Sequence, residues 1–204
     1  MNTNLISSSI KTGAVLNFLG GLLVALGYVL HPHQMVADTI GTNYWVIVHF
    51  LFLFSLPFGV FGFIAMLAHY SESATKIGLI GFFLGITSLI IIFGMNYYET
   101  LIAPVLAIEE SAFIDRTGAG LEIGLVALIF PLGGLMFLLG YVLFYYDMLK
   151  TKSLPPLGIK ILIIGTIIFS IGLSGILPMI VVRIGSVIFG VGLMLVSISL
   201  FNKY

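Results

Sequence analysis

The chain has no cysteine among its 204 residues, which removes disulfides, thiolate metal sites and thiol nucleophiles together. Charge is nearly as scarce: Asp, Glu, Lys and Arg make up 8% of the sequence, where a soluble domain carries about a quarter. So few charges cannot cover a globular surface against water. The formal net charge is zero and no basic patch occurs, so nothing in the chain suits nucleic acid. A phosphate-binding glycine loop, H-E-x-x-H, G-x-S-x-G and a dinucleotide fingerprint are all missing, so no motif names a reaction.

What is present is apolar. Hydrophobic residues account for 60% of the chain and the mean hydropathy is +1.21. Apolar runs of roughly 20 residues recur throughout, each able to cross about 30 Å of hydrocarbon at about 1.5 Å per residue. This predicts an all-α integral membrane protein, a single membrane domain over 1–204. Its six transmembrane helices are expected near 12–31, 45–69, 76–98, 122–146, 158–177 and 181–201. The run Ala14–Leu30 is long for the apolar core of a signal peptide and no A-x-A site follows, so it is read as a retained span. Six crossings put both termini on one side. Lys11, Lys76, Lys150, Lys152, Lys160 and Lys203 share that side, with only Arg116 and Arg183 opposite, which predicts cytoplasmic termini. The expected location is a prokaryotic plasma membrane. The lipid bilayer is the first partner, and a second copy or a membrane complex is the second.

The segment LGGLLVALGYVL at 19–30 returns as LGGLMFLLGYVL at 132–143, and KIGLIGFFLG at 76–85 returns more loosely as RIGSVIFGVG at 183–192. Each recurrence falls three spans later and so runs through the membrane in the opposite direction. That pattern predicts a 3+3 inverted repeat. Many of the 24 glycines sit inside spans at spacings near seven, placing them on helix stripes where backbones approach closely. Pro57 and Pro131 are expected to bend spans 2 and 4.

The candidate chemistry gathers at the outer rim. The stretch LHPHQMVADTIGTNYWVIVH holds His31, His33 and His49, three of the four histidines. Trp45 and His49 are four apart and share a helix face, with His49 about one turn deeper. Tyr98 and Glu99 end span 3, and Glu122 opens span 4 on the same side. Imidazoles and carboxylates converging from several helices are what a transition metal or a haem requires. This makes His31, His33, His49, Glu99 and Glu122 candidate metal ligands, and His49, Glu99, Tyr98 and Trp45 candidate cofactor contacts. The bland alternative is an interfacial belt, since histidine, tyrosine and tryptophan favour the edge of the bilayer. The connection at 104–116 sets Val105, Ile108 and Ala112 opposite Glu109, Glu110 and Arg116, which predicts an interfacial helix.

Three functional readings follow. The first is a His/Glu cluster open to the outer face that binds a metal or haem. The second is a transporter or channel for a small uncharged solute, built from two inverted halves. Its support is the repeat; its weakness is that the span interiors offer only Asn17, Ser55, Thr87, Ser88, Thr166 and Ser170 and no charge for a coupling ion, so it suits an uncharged or apolar solute. The third is an accessory subunit of a membrane complex.

Overall fold

The computed structural model describes residues 3–118, 120–174 and 177–204. Among them the only regular structure is helical, and six helices are long and apolar enough to span a membrane. The first is α1 (Thr3–Leu30), followed by a short α2 (Ala37–Ile40), then α3 (Asn43–Tyr70) and α4 (Lys76–Tyr97). A π-helical turn at Tyr98–Ile102 leads into α5 (Ala103–Glu109) and α6 (Ser111–Arg116). The chain closes with α7 (Val126–Lys150), α8 (Pro156–Leu173) and α9 (Met179–Phe201). The six expected spans correspond to α1, α3, α4, α7, α8 and α9. The largest difference is at the start, where helix begins at Thr3 rather than near residue 12.

Local chemistry sets most boundaries. Pro32 disfavours helical backbone at His31, so α1 ends at Leu30. Thr42 caps α3 by accepting from the Trp45 N–H at 3.2 Å. Thr75 caps α4 through the Ile77 N–H, and Asp147 of α7 accepts from the Thr75 N–H at 2.9 Å and hydroxyl at 2.7 Å. Proline stands at the N-terminal edge of α8 and of α9, where its missing N–H is not needed. Helix runs unbroken past Pro57 and Pro131.

The six spanning helices pack as a ring in chain order: α1 on α3, α3 on α4, α4 on α7, α7 on α8, α8 on α9, and α9 back on α1. The α8–α9 and α4–α7 pairs are the most intimate, and α3–α4 the slightest. Close pairing depends on glycine. A Cβ on Gly140 of α7 would lie 2.7 Å from the Gly85 Cα and 2.9 Å from the Leu84 carbonyl carbon of α4. Across α8–α9, Gly165 leaves room for the Phe189 backbone in the same way.

Both termini lie at one face of the bundle, here the terminal face; α2, α5 and α6 lie at the far face. The expected helix over 104–116 is two helices broken at Glu110 (φ −136°, ψ 51°). Val105 and Ile108 keep the exposed side that an interfacial helix presents to the bilayer, and small residues face the protein. Ala103, Ala107 and Ile114 pack on Ala37, Ile40 and Trp45. Small side chains let the connection lie close over α2 and the start of α3, and the larger apolar ones are left for the bilayer edge.

Candidate functional site

The far-face site is built on one turn of α3. His49 stacks on Trp45, ring centroids 3.9 Å apart and planes 22° from parallel. Its Nδ1 lies 2.9 Å from the Trp45 carbonyl oxygen. A carbonyl only accepts, so Nδ1 carries the proton and Nε2 keeps a lone pair. His31, just past the end of α1, packs its ring 5.1 Å from His49 and 5.3 Å from Trp45. Its Nδ1 donates to the Pro32 carbonyl at 2.7 Å, which fixes the same tautomer. Burial holds the His31 ring below the ordinary histidine value, against the raising effect of the Pro32 hydrogen bond; Arg183 and then His33 lower it further. With each Nδ1 donating to a backbone carbonyl, Nε2 is left as the acceptor on both rings, and the two imidazoles lie side by side on buried residues.

Other elements hold this pair in place. The Arg183 guanidinium of α9 donates to the His31 carbonyl at 2.7 Å, and the Tyr44 hydroxyl donates to the Leu30 carbonyl at 2.5 Å. Asp115 of α6 accepts from the Ala37 N–H at 2.7 Å, anchoring α2 to α6. The π-helical turn at Tyr98–Ile102 precedes Pro104, whose ring cannot sit over a regular α turn and which offers no N–H to the Thr100 carbonyl. The widened turn places Glu99 inward. Its carbonyl accepts from Trp45 Nε1 at 2.9 Å, and its side chain is buried.

The sequence candidates therefore separate. His31, His49 and Trp45 come together, with Glu99 joined to them through the Trp45 indole. His33 is exposed in the α1–α2 connection. Glu122 is exposed and lies over Gly118, while Tyr98 turns its hydroxyl toward Gly120. Among the described residues, no three His, Asp or Glu side chains gather closely enough to hold a metal ion. His31 and His49 approach one another from the α1–α2 connection and α3, while His33 and Glu122 stay exposed and apart from them.

Beneath the imidazole pair lies a cavity of about 90 Å³. Every span supplies a wall: Tyr28 from α1, Phe52 from α3, Leu89 from α4, Phe137 from α7, Phe169 from α8 and Phe189 from α9. Phe52 joins the two regions, packing on Tyr28 at 4.4 Å and on His49 at 5.5 Å. The lining holds no acidic or basic side chain, and Ser55, Asn96 and Ser170 supply most of its few polar atoms. Toward the terminal face an aromatic floor closes the space, with Phe63 stacked on Phe144 at 4.6 Å and packed on Tyr141 at 4.5 Å. Below, Asn17 donates to the Ser197 hydroxyl at 2.8 Å and to the Leu193 carbonyl at 3.4 Å, linking α1 to α9.

Sequence reasoning missed Tyr28, Asp115 and Arg183. Arg183 carries a signal in sequence, being a lone cation at the start of a span, and by sequence alone it bears only on orientation. Tyr28 lay within the repeated LGYVL segment.

No protein family, curated protein or solved structure matches the chain. Fold and site together define a class: a multi-pass helical bundle, suited to a membrane, with an apolar chamber at its centre and a buried imidazole pair at one end.

Proposed function

We propose that the protein holds a small, uncharged, largely apolar solute at the centre of its ring and exchanges it with its surroundings, as a carrier built from two inverted halves. The observation that carries this reading is the shared chamber. Helix bundles ordinarily close-pack, leaving few voids larger than a water, yet here all six spans stop short of one common space. A wall drawn from every span means that a shift of one half against the other reshapes the chamber. The absence of acidic and basic lining suits a solute that needs neither counter-charge nor coupling ion.

The repeated segment supports the two-halves reading. Val24 and Tyr28 of the first copy and Phe137 and Tyr141 of the second occupy matching positions, and all four line the chamber. The ring order adds nothing to this, because a two-fold axis in the membrane plane would reverse the order around the ring and would exchange the slight α3–α4 pair with the intimate α8–α9 pair; the two-halves reading rests on the repeated segment. Cytoplasmic termini, inferred from the lysine bias, open the imidazole end to the outside. There His31 and His49 would accept hydrogen bonds from a solute's polar end. A metal or haem centre has less support, because only two of its five candidate ligands converge. An accessory role leaves the chamber without a purpose.

Xenon is a suitable probe, since dry apolar cavities take it up. Gly134 lines the chamber and a Cβ there meets nothing within 4 Å, so Gly134→Leu adds bulk at the chamber wall without a clash at its root. Xenon NMR of the purified protein should show a bound population that Gly134→Leu removes. A wild-type protein with no bound xenon, or a folded Gly134→Leu that binds it equally, refutes the reading.

A further inference from the structure

We propose that the chamber is filled sideways from the bilayer, between α3 and α4, and that what passes is the hydrocarbon end of an amphiphile; this rests on the carrier reading above. A second hollow, about 220 Å³, lies on the outer surface of the bundle at this seam. Its walls are Leu56, Pro57, Val60 and Phe61 of α3 with Leu89, Ile90 and Phe93 of α4, and no polar atom is exposed in it. Leu56 and Leu89 line the inner chamber as well. The two spaces thus share Leu56 of α3 and Leu89 of α4 as a common wall.

Three further observations make this seam the way in. The α3–α4 pair is the slightest in the ring, whereas α3 packs extensively on α1. Pro57 stands mid-helix on the seam, and with no N–H it leaves the Leu53 carbonyl without its helical partner, which softens α3 there. Phe61, Ile90 and Phe93 are exposed on the bundle's outer surface, so at this depth in a bilayer only hydrocarbon can reach the hollow. An acyl chain threading past Leu56 and Leu89 enters an aromatic chamber, with its polar end free to turn toward the imidazole pair.

The chain lacks cysteine, so a single introduced thiol can be blocked cleanly. The protein is placed in vesicles of phosphatidylcholine carrying a diazirine near the acyl terminus, and photolabelled residues are mapped by mass spectrometry. Labelling of Phe137, Tyr141 and Phe189 reports hydrocarbon inside the chamber. A bulky maleimide on Phe93→Cys should cut that labelling by about tenfold or more, as closing a gate does. Ile90→Cys provides a second blocking position, and the same reagent on Gln34→Cys at the far face should leave labelling unchanged. Labelling that persists with both seam positions blocked, or that is lost on blocking Gln34→Cys instead, overturns the lateral route. Absence of chamber labelling in the unblocked protein overturns it as well. If xenon still binds, the chamber reading survives that failure, because xenon needs no portal.

Discussion

Two glycines six residues apart on α7 should respond oppositely to the same added methyl group. In Gly140→Ala the new Cβ meets only backbone: the Gly85 nitrogen, its Cα at 2.7 Å and the Leu84 carbonyl carbon at 2.9 Å. None of these can turn aside, so α4 and α7 must separate along one of the two most intimate seams of the ring. Forcing an extra methyl into a filled interface costs about 1–3 kcal/mol, more than the roughly 1 kcal/mol of helix propensity that Ala gains over Gly. In Gly134→Ala the Cβ points into open space and only the favourable part remains. With three backbone atoms inside 3 Å the cost falls in the upper part of that range, leaving about 1–2 kcal/mol net; by the scaling for soluble chains of this size, about 2–4 °C per kcal/mol, Gly140→Ala should lower the melting temperature by about 2–8 °C while Gly134→Ala holds or raises it. Thermal unfolding in detergent, followed by circular dichroism and by emission of the sole tryptophan, Trp45, measures both. A Gly140→Ala protein as stable as wild type would mean that α4 and α7 do not approach as described. A Gly134→Ala protein that loses as much would mean that the chamber is not there.

Two further outcomes are expected. His31 is held neutral by burial, so its folded pKa lies below that of the unfolded chain. Its contribution to stability is fully present above about pH 6.5 and is lost as pH falls below that toward the folded value, at up to about 1.4 kcal/mol per pH unit. A stability-against-pH series should show this fall weakened in His31→Gln, and an unchanged profile refutes the assignment. For orientation, single cysteines at Gln34 and Lys152 should divide, with Gln34→Cys reacting with an impermeant maleimide from outside and Lys152→Cys silent. The reverse pattern inverts the protein in its membrane.

The sequence by itself determined the six spans, because a bilayer demands a fixed length of apolar helix and little else at the level of the single segment. It also determined several of their ends, since Pro32, Thr42, Thr75 and Pro178 act on backbone within a few residues of themselves, though not the start of the first, which runs back to Thr3. The one-turn pairing of Trp45 with His49 was legible for the same reason: it is local helix geometry. Tertiary structure alone decided which residues meet across helices. His31 joins His49 while His33 does not, a difference set by Arg183 and Asp115 holding the connection from α9 and α6. Glu99 offers its carbonyl to Trp45 because a proline widens the turn beneath it, and no side-chain pattern carries that information. The connection at 104–116 turned its small residues inward, since hydrophobic periodicity cannot tell protein from lipid as the apolar neighbour. The chamber exists only in the assembled ring. Each of its walls is an ordinary phenylalanine, leucine or tyrosine in its own span, and a void has no residue of its own to announce it.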